Sequence, residues 1–319
     1  MKIKKVLYLE FMTNKYNYLF KRLFISLKNE SLLDTIKKII NTFLGNNKID
    51  LDKLSKDFAH LGLDDLFLVF GTDKGKLDGK KTYYNLKSLV DKNNNFKNYY
   101  SWIKRRNFKD FKYQLGNNFS PVYEKLFKNI KDKKNNVLEI GVANGHSIAS
   151  WYLYFKNSNI FGIDIKKKDK LFYKGNRLQY YSIDTLNQKK VTNFLKKNIT
   201  FDVIIDDSNH NFEAFFKNIK NFYPLVKPGG MYILEDFVIN DKERQAEIDF
   251  NLDNGYQILS RDSLLTVESF FNQVKDKKEF KNSYYFSDDE IKEIINSTEN
   301  TELIYTEHPG GSLAILYKS

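Results

Sequence analysis

The sequence predicts an α/β fold, a mostly parallel twisted sheet in the C-terminal part of the chain, and three observations predict it. Residues 137–140 form an apolar run that carries one acid, Glu139, and breaks into the turn Gly141-Val142-Ala143-Asn144-Gly145 ahead of a helical stretch. A strand covered on both faces reads as such a run, and glycine lets the backbone bend sharply at its carboxyl end. Next, Ile160-Phe161-Gly162-Ile163-Asp164 is a second run closed by a carboxylate, 23 residues beyond Gly141, the length of one helix plus one strand. Finally, residues 201–207 and 231–236 repeat the pattern, and each ends in two acids: Asp206 with Asp207, and Glu235 with Asp236. Strands alternating with helices imply a parallel sheet, whose ligands sit outside the carboxyl ends of the strands.

The elements follow in order. Residues 1–118 read as an N-terminal helical and auxiliary region, and residues 119–319 as the sheet domain. Within the first 55 residues, Leu19, Phe20, Leu23, Phe24 and Leu27, then Leu32, Leu33, Ile36, Ile39 and Ile40, recur at helical spacing. Such an amphipathic stretch is a packing surface or a route to a homo-oligomer. Residues 76–118 interleave aromatics with cations, most densely in Tyr99-Tyr100-Ser101-Trp102-Ile103-Lys104-Arg105-Arg106. That pattern is either a ligand surface or an aromatic core face with a basic rim. In the sheet domain, residues 180–184 read as the third strand. Val226-Lys227-Pro228-Gly229-Gly230 is the turn before the fifth. Residues 241–250 read as a polar connection, and 264–274 and 288–295 as helices. Residues 301–305 and 312–317 read as a closing hairpin around Pro309-Gly310-Gly311, with one strand antiparallel to the rest.

The strand-end chemistry narrows the ligand. A carboxylate at the tip of the second strand, Asp164, suits the vicinal hydroxyls of a ribose. A dinucleotide would want Gly-x-Gly-x-x-Gly and a pyrophosphate on the helix N-terminus. Here the turn is Gly-x-x-x-Gly, and Glu139 before it would repel a phosphate and attract a cation. S-adenosyl-L-methionine, a sulfonium with a free amino group, meets both conditions. Two neighbouring acid pairs raise each other's pKa or demand a cation. Hard oxygen ligands point to Mg²⁺, which would hold vicinal hydroxyls and lower the pKa of one. The alternative is that these acids are solvated loop residues. His210, three residues beyond Asp207, is either a general base suited to neutral pH or a cap of the helix that follows. His146 is expected to pack at the start of the first helix.

These motifs resemble the Rossmann-like, seven-stranded S-adenosyl-L-methionine-dependent methyltransferases from about Tyr123 onward. The Asp206-Asp207-Ser208-Asn209-His210 and Glu235-Asp236 pairs, with Gly71-Thr72-Asp73-Lys74-Gly75 and the tyrosine segment Ser120-Pro121-Val122-Tyr123, are similar to those of the macrolide-sugar O-methyltransferases. The resemblance implies a metal-assisted O-methyltransferase acting on a sugar hydroxyl of a glycan or nucleotide sugar. It implies that Glu139, Gly141, Asn144, Gly145, Ser147, Asp164 and Asp184 bind the cofactor, with Asp184 near the adenine. Asp206 or Asp207, with Glu235 and Asp236, would hold the metal, and His210 with Asp207 would carry the proton chemistry. Residues 76–118 depart from the short link of that family. The histidine that often precedes its tyrosine helix is missing, and Asn117-Asn118-Phe119 stands in its place.

Composition bounds the rest. With 319 residues and 41% hydrophobic content the chain can build a sizeable core. There is no cysteine, which excludes disulfides and thiolate metal sites. The net charge of +12 would attract phosphate, yet only six of the 52 basic residues are arginine. A nucleic-acid methyltransferase is therefore the runner-up, short of the Pro-Pro-aromatic motif used on base nitrogens. A non-catalytic binding protein that keeps the fold is the third reading. The opening residues resemble a signal peptide until Glu10 interrupts them, and no run approaches the roughly 20 apolar residues that span a bilayer. The expected compartment is the cytoplasm.

Overall fold

Seven strands form one sheet: β1 (Asn136–Ile140), β2 (Asn159–Asp164), β3 (Leu178–Ser182), β4 (Phe201–Asp206), β5 (Val226–Glu235), β6 (Thr298–Tyr305) and β7 (Ser312–Lys318). Their order is β3-β2-β1-β4-β5-β7-β6. The first five pair in parallel, and β7 lies antiparallel between β5 and β6. Strand order reverses beside β1, so the crevice outside β1 and β4 is the place for a ligand. The expected α/β class and closing hairpin are both present. The computed structural model describes residues 48–58, 60–70, 72–75, 117–143, 145–168, 171–238, 266–277, 285–306 and 311–319.

Period-two alternation builds the two faces. Leu138, Ile140, Phe161, Ile163, Ile204, Tyr232, Leu234, Ala314 and Leu316 point to one side and share a core with four helices. These are α5 (Gln188–Leu195), α6 (Phe212–Phe222), α7 (Val267–Lys275) and α8 (Asp288–Ser297). Phe215, Phe216, Ile219 and Phe222 of α6 are fully buried there, each worth roughly 1.5–3 kcal/mol of transfer free energy. The other side takes α4 (His146–Tyr154), backed by α1 (Leu51–Phe58), α2 (Leu63–Phe70) and α3 (Ser120–Phe127). Trp151 of α4 meets Phe67, Tyr123 and Phe127 edge to face, with ring centroids 5.1–5.9 Å apart. Such pairs add to the area they bury.

Several boundaries differ from the sequence reading. β3 stops at Ser182, so Asp184 lies in the following turn, where its Oδ1 accepts from Leu186 N–H at 3.1 Å. β5 begins at Val226, because a register shift against β4 between Phe201 and Val203 absorbs Lys227-Pro228-Gly229-Gly230 as an irregularity inside the strand. α7 starts at Val267, after Thr266, whose hydroxyl caps Ser269 N–H.

The chain divides into two compact units, Met1–Ile49 and Asp50–Ser319. The expected division at 118/119 therefore falls inside the second unit. The reason is burial: Leu51, Leu54, Leu63, Leu66, Phe67 and Phe70 close over the α4 face of the sheet. The amphipathic stretches of residues 1–47, the insertion at 76–116, the connection at 241–250 and Pro309-Gly310 lie outside the described residues. No described helix is long and apolar enough to cross a membrane.

Candidate active site

The glycine turn is built by close approach. Gly141 has φ +90°, and a Cβ on it would come 1.9 Å from the Asp207 carbonyl oxygen. The absent side chain lets the end of β1 and the loop after β4 touch, and Asp207 N–H donates to Ile140 O at 2.8 Å. Gly145 has φ +96°, and a Cβ there would meet Leu171 Cδ1 at 2.5 Å. Both glycines answer to neighbouring protein atoms. Asn144 lies outside the described residues.

Asp164 faces the same turn. Its Oδ2 accepts from Ala143 N–H at 2.6 Å and its Oδ1 from Lys166 N–H at 2.8 Å. A carboxylate offers about four acceptor positions, so two remain for a ribose diol. Glu139 and Ser147 are placed differently from the sequence expectation. The Ser147 hydroxyl donates to Glu139 at 2.8 Å, Trp151 Nε1 donates at 3.3 Å, and Lys74 Nζ stands 3.7 Å away. Glu139 is 1% exposed. It points to the α4 face beneath the turn, which leaves it supporting the turn rather than reaching a ligand's amino group. Burial pushes it up to about 7, against Lys74. His146 packs as expected, its ring against Phe172 and Tyr173 and its Nδ1 2.9 Å from the Tyr173 hydroxyl.

The strand-end acids separate by parity. Asp206 pairs in register with Ile140 and Leu234 and shares their face, whereas Glu235 takes the other. Asp206 is fully buried. Its Oδ2 accepts from the Tyr232 hydroxyl at 2.5 Å, and its Oδ1 from Asn218 Nδ2 at 3.1 Å and Ser208 N–H at 3.3 Å. Burial pushes it up to about 6, against those hydrogen bonds. Asp206 therefore braces the loop from beneath and is turned away from any shared ion. Glu235, 1% exposed, accepts from the Tyr123 hydroxyl and the Lys74 ammonium. Burial, Asp207 and Asp236 raise it, and Lys74 opposes them.

Three of the expected residues do converge. Asp207, His210 and Asp236 each offer one ligand atom, all within 4.8 Å of one another. Asp207 reaches both ways: its Oδ2 takes the Lys74 ammonium at 2.6 Å, and its Oδ1 lies 3.8 Å from His210 Nε2. Asn211, whose Oδ1 accepts from Ala214 N–H at 2.8 Å, caps α6. His210 is thereby released from the capping role and is about half exposed. Asp236 holds φ +51°, an αL position that aspartate tolerates, and accepts from Asn117 Nδ2 at 3.1 Å. Burial and Asp207 push it up to about 6, against Lys74 and His210. Under-compensated carboxylates beside an imidazole form a donor set that fits a hard divalent cation. The four-acid cluster expected from the sequence is thus divided, with Asp207 and Asp236 facing outward, Glu235 turned inward and Asp206 on the opposite face.

Sequence reasoning missed Lys74 as a member of this site. Burial alone would lower its pKa, but Asp207, Glu235 and Glu139 outweigh burial and hold it well above the ordinary lysine value. Its only sequence signal is its place in Gly71-Thr72-Asp73-Lys74-Gly75, which carries no periodicity.

A family model described as rhamnosyl O-methyltransferase/CmcI matches residues 123–287, just over half of the chain. Demethylmacrocin O-methyltransferase of Streptomyces fradiae is 30% identical over 125 residues, which cover 37% of this chain and 31% of that one. Mycinamicin VI 2''-O-methyltransferase of Micromonospora griseorubida is 29% identical over the same length, with the same coverage of both chains. The match spans about a third of the length of these relatives. Among solved structures, the MycE methyltransferase from the mycinamycin biosynthetic pathway, in complex with Mg and SAH, aligns with a TM-score of 0.46. Its identity is 20%, over 63% of this chain and 48% of that one.

Proposed function

This chain belongs to the rhamnosyl O-methyltransferase/CmcI family, and from that premise we propose that it is an S-adenosyl-L-methionine-dependent O-methyltransferase of a sugar hydroxyl. The sugar is part of a glycan or a nucleotide sugar, and a divalent cation, Mg²⁺, assists. The observation that carries the reading is the outward group Asp207, His210 and Asp236, set against the glycine turn by the contact of Gly141 with Asp207. When bound, the sulfonium supplies the methyl group, and the cation supplies charge that lowers the pKa of a neighbouring hydroxyl. In this reading Asp164 accepts from the ribose diol, and Asp184, just beyond β3, meets the adenine. Asp207 and Asp236 are the cation holders. In this reading His210, half exposed and 3.8 Å from Asp207, takes the hydroxyl proton through Nε2 or adds a third ligand. The cytoplasm is the compartment this reading assigns to the activity.

The test is the Asp236→Asn variant with a sugar acceptor, donor and Mg²⁺. Turnover falls by at least about a hundredfold, about 2.7 kcal/mol of transition-state stabilisation, while calorimetry still detects donor binding. Wild-type turnover that is unchanged after chelation removes the cation from the reaction. No heat with either donor or Mg²⁺ makes the protein a scaffold, and affinity for nucleic acid that falls steeply with salt makes it a nucleic-acid enzyme.

A further inference from the structure

Lys74 is 1% exposed and reaches the sheet from a loop that precedes α3. Its ammonium stands among three carboxylates contributed by three strand ends: Glu139 at 3.7 Å, Asp207 Oδ2 at 2.6 Å, and Glu235 in direct contact. Two of those acids are themselves 1% exposed. Among the described residues, Asp236 is a further carboxylate that acts on Lys74's partner Glu235. Its backbone N–H lies 3.4 Å from Thr72 Oγ1, and Phe119 N–H and Asn117 N–H bond to the carbonyls of Lys74 and Asp73. The loop is therefore anchored at its backbone as well as through the ammonium.

We propose that Lys74 is a tethered rival of the divalent cation, its ammonium filling the gap between Asp207 and Glu235 and so confining the ion to the outward Asp207, His210 and Asp236 atoms. The inference rests on the cation reading above. Charge and geometry decide between this role and simple propping. Asp207 offers one oxygen inward to Lys74 and one outward, so an ion on the outward oxygen sits across one carboxylate from a like charge. That repulsion weakens ion binding, because unit charges a few ångströms apart in a partly buried site interact strongly. It also fixes which oxygen of Asp207 faces outward. Lys74 is thus a positioning residue, acting through Asp207 and Glu235, and it limits the site to one ion. A mere prop makes the opposite prediction, since its removal would loosen Asp207 and weaken the ion.

The experiment titrates Mn²⁺ into the full chain without donor or acceptor, reading free Mn²⁺ by electron paramagnetic resonance, for wild type and Lys74→Met. The wild type takes one ion per chain. The variant binds its first ion at least about tenfold more tightly or takes a second. Equal or weaker affinity in a folded Lys74→Met variant overturns the proposal. If that variant does not fold, the comparison is Glu235→Gln against Glu235→Gln with Lys74→Met, where no buried ion-pair partner of Lys74 on β5 is stranded. The same tightening is expected, and its absence is equally fatal. Because the chain has no cysteine, Lys74→Cys alkylated with 2-bromoethylamine under denaturing conditions and refolded regains an ammonium at lysine length. Its affinity returns to the wild-type value, which lost packing alone would not explain. Wild type and variants alike binding no Mn²⁺ would refute the cation reading itself, a result distinct from a tight wild type matched by an equally tight variant.

Discussion

Replacing Gly141 by alanine tests why the first strand ends where it does. The residue holds φ +90°, and the new Cβ would lie 1.9 Å from the Asp207 carbonyl oxygen, 2.4 Å from its carbon and 2.8 Å from Ser208 N. No flexible side chain is there to give way; the obstacle is backbone. A left-handed conformation costs a residue with a Cβ about 1–2 kcal/mol, and forcing atoms into a filled space costs about 1–3 kcal/mol more. The expected loss is therefore about 2–5 kcal/mol, a large share of a typical stability of about 5–15 kcal/mol. Urea denaturation of wild type and Gly141→Ala at neutral pH reads it as a lower midpoint with an unchanged slope. Relief of the clash moves Asp207 off Gly141, so Mn²⁺ affinity falls with stability. A loss under about 0.5 kcal/mol, or full loss of donor binding in a variant as stable as wild type, would refute the close-approach argument and return the glycine to a ligand-facing role.

Other expectations follow from the buried polar groups. Tyr123→Phe removes a hydroxyl donor from the buried Glu235, and thermal or urea unfolding should show a loss of about 1.5–3 kcal/mol. Asp206 is raised to about 6 in the fold, above its unfolded value, so the folded state binds the extra proton and the stability from this group declines as pH rises from about 4 to about 6. That decline is worth about 3 kcal/mol. Asp206→Asn should therefore gain on wild type across that window, and parallel stability curves for the two proteins would contradict the burial argument. Asp236 is raised to about 6, and its protonated form cannot hold a cation. Mn²⁺ affinity should fall as pH drops through about 6 in wild type, and Asp236→Asn should bind weakly at every pH.

The centre of the sheet was legible because β1, β2 and β4 are mostly apolar runs of five or six residues closed by glycine or acid, and such runs leave little choice of element. The hairpin of β6 and β7 was legible from its central glycines. Parity was the missed signal at the site. Counting twos from Leu234 along β5 and from Ile204 along β4 puts Asp206 with the core-facing set and Glu235 with the opposite one, which already separates these two acids; Asp207 and Asp236 lie just past the strand ends, where alternation no longer applies. The role of His210 was undecided in the sequence because His210 and Asn211 are both polar residues ahead of a helix. Only the backbone shows that Asn211 takes the cap. Lys74 was out of reach for a different reason: it enters from a loop whose partners are 65, 133 and 161 residues away. No local pattern encodes contacts at that distance.

Arg177 holds the far end of α4. Its guanidinium donates to the carbonyls of Tyr152 at 2.8 Å, Phe155 at 2.9 Å and Ser158, and it lies 3.9 Å over the Tyr152 ring. The Tyr152 hydroxyl in turn donates to Asp52 of α1. A helix clamped at its exit is held from sliding along the sheet, and its entrance at His146 is held with it. Docking a small molecule there spends little chain entropy, and preorganisation of this kind shows as high affinity per contact and as slow amide exchange across residues 146–154 before any ligand is added.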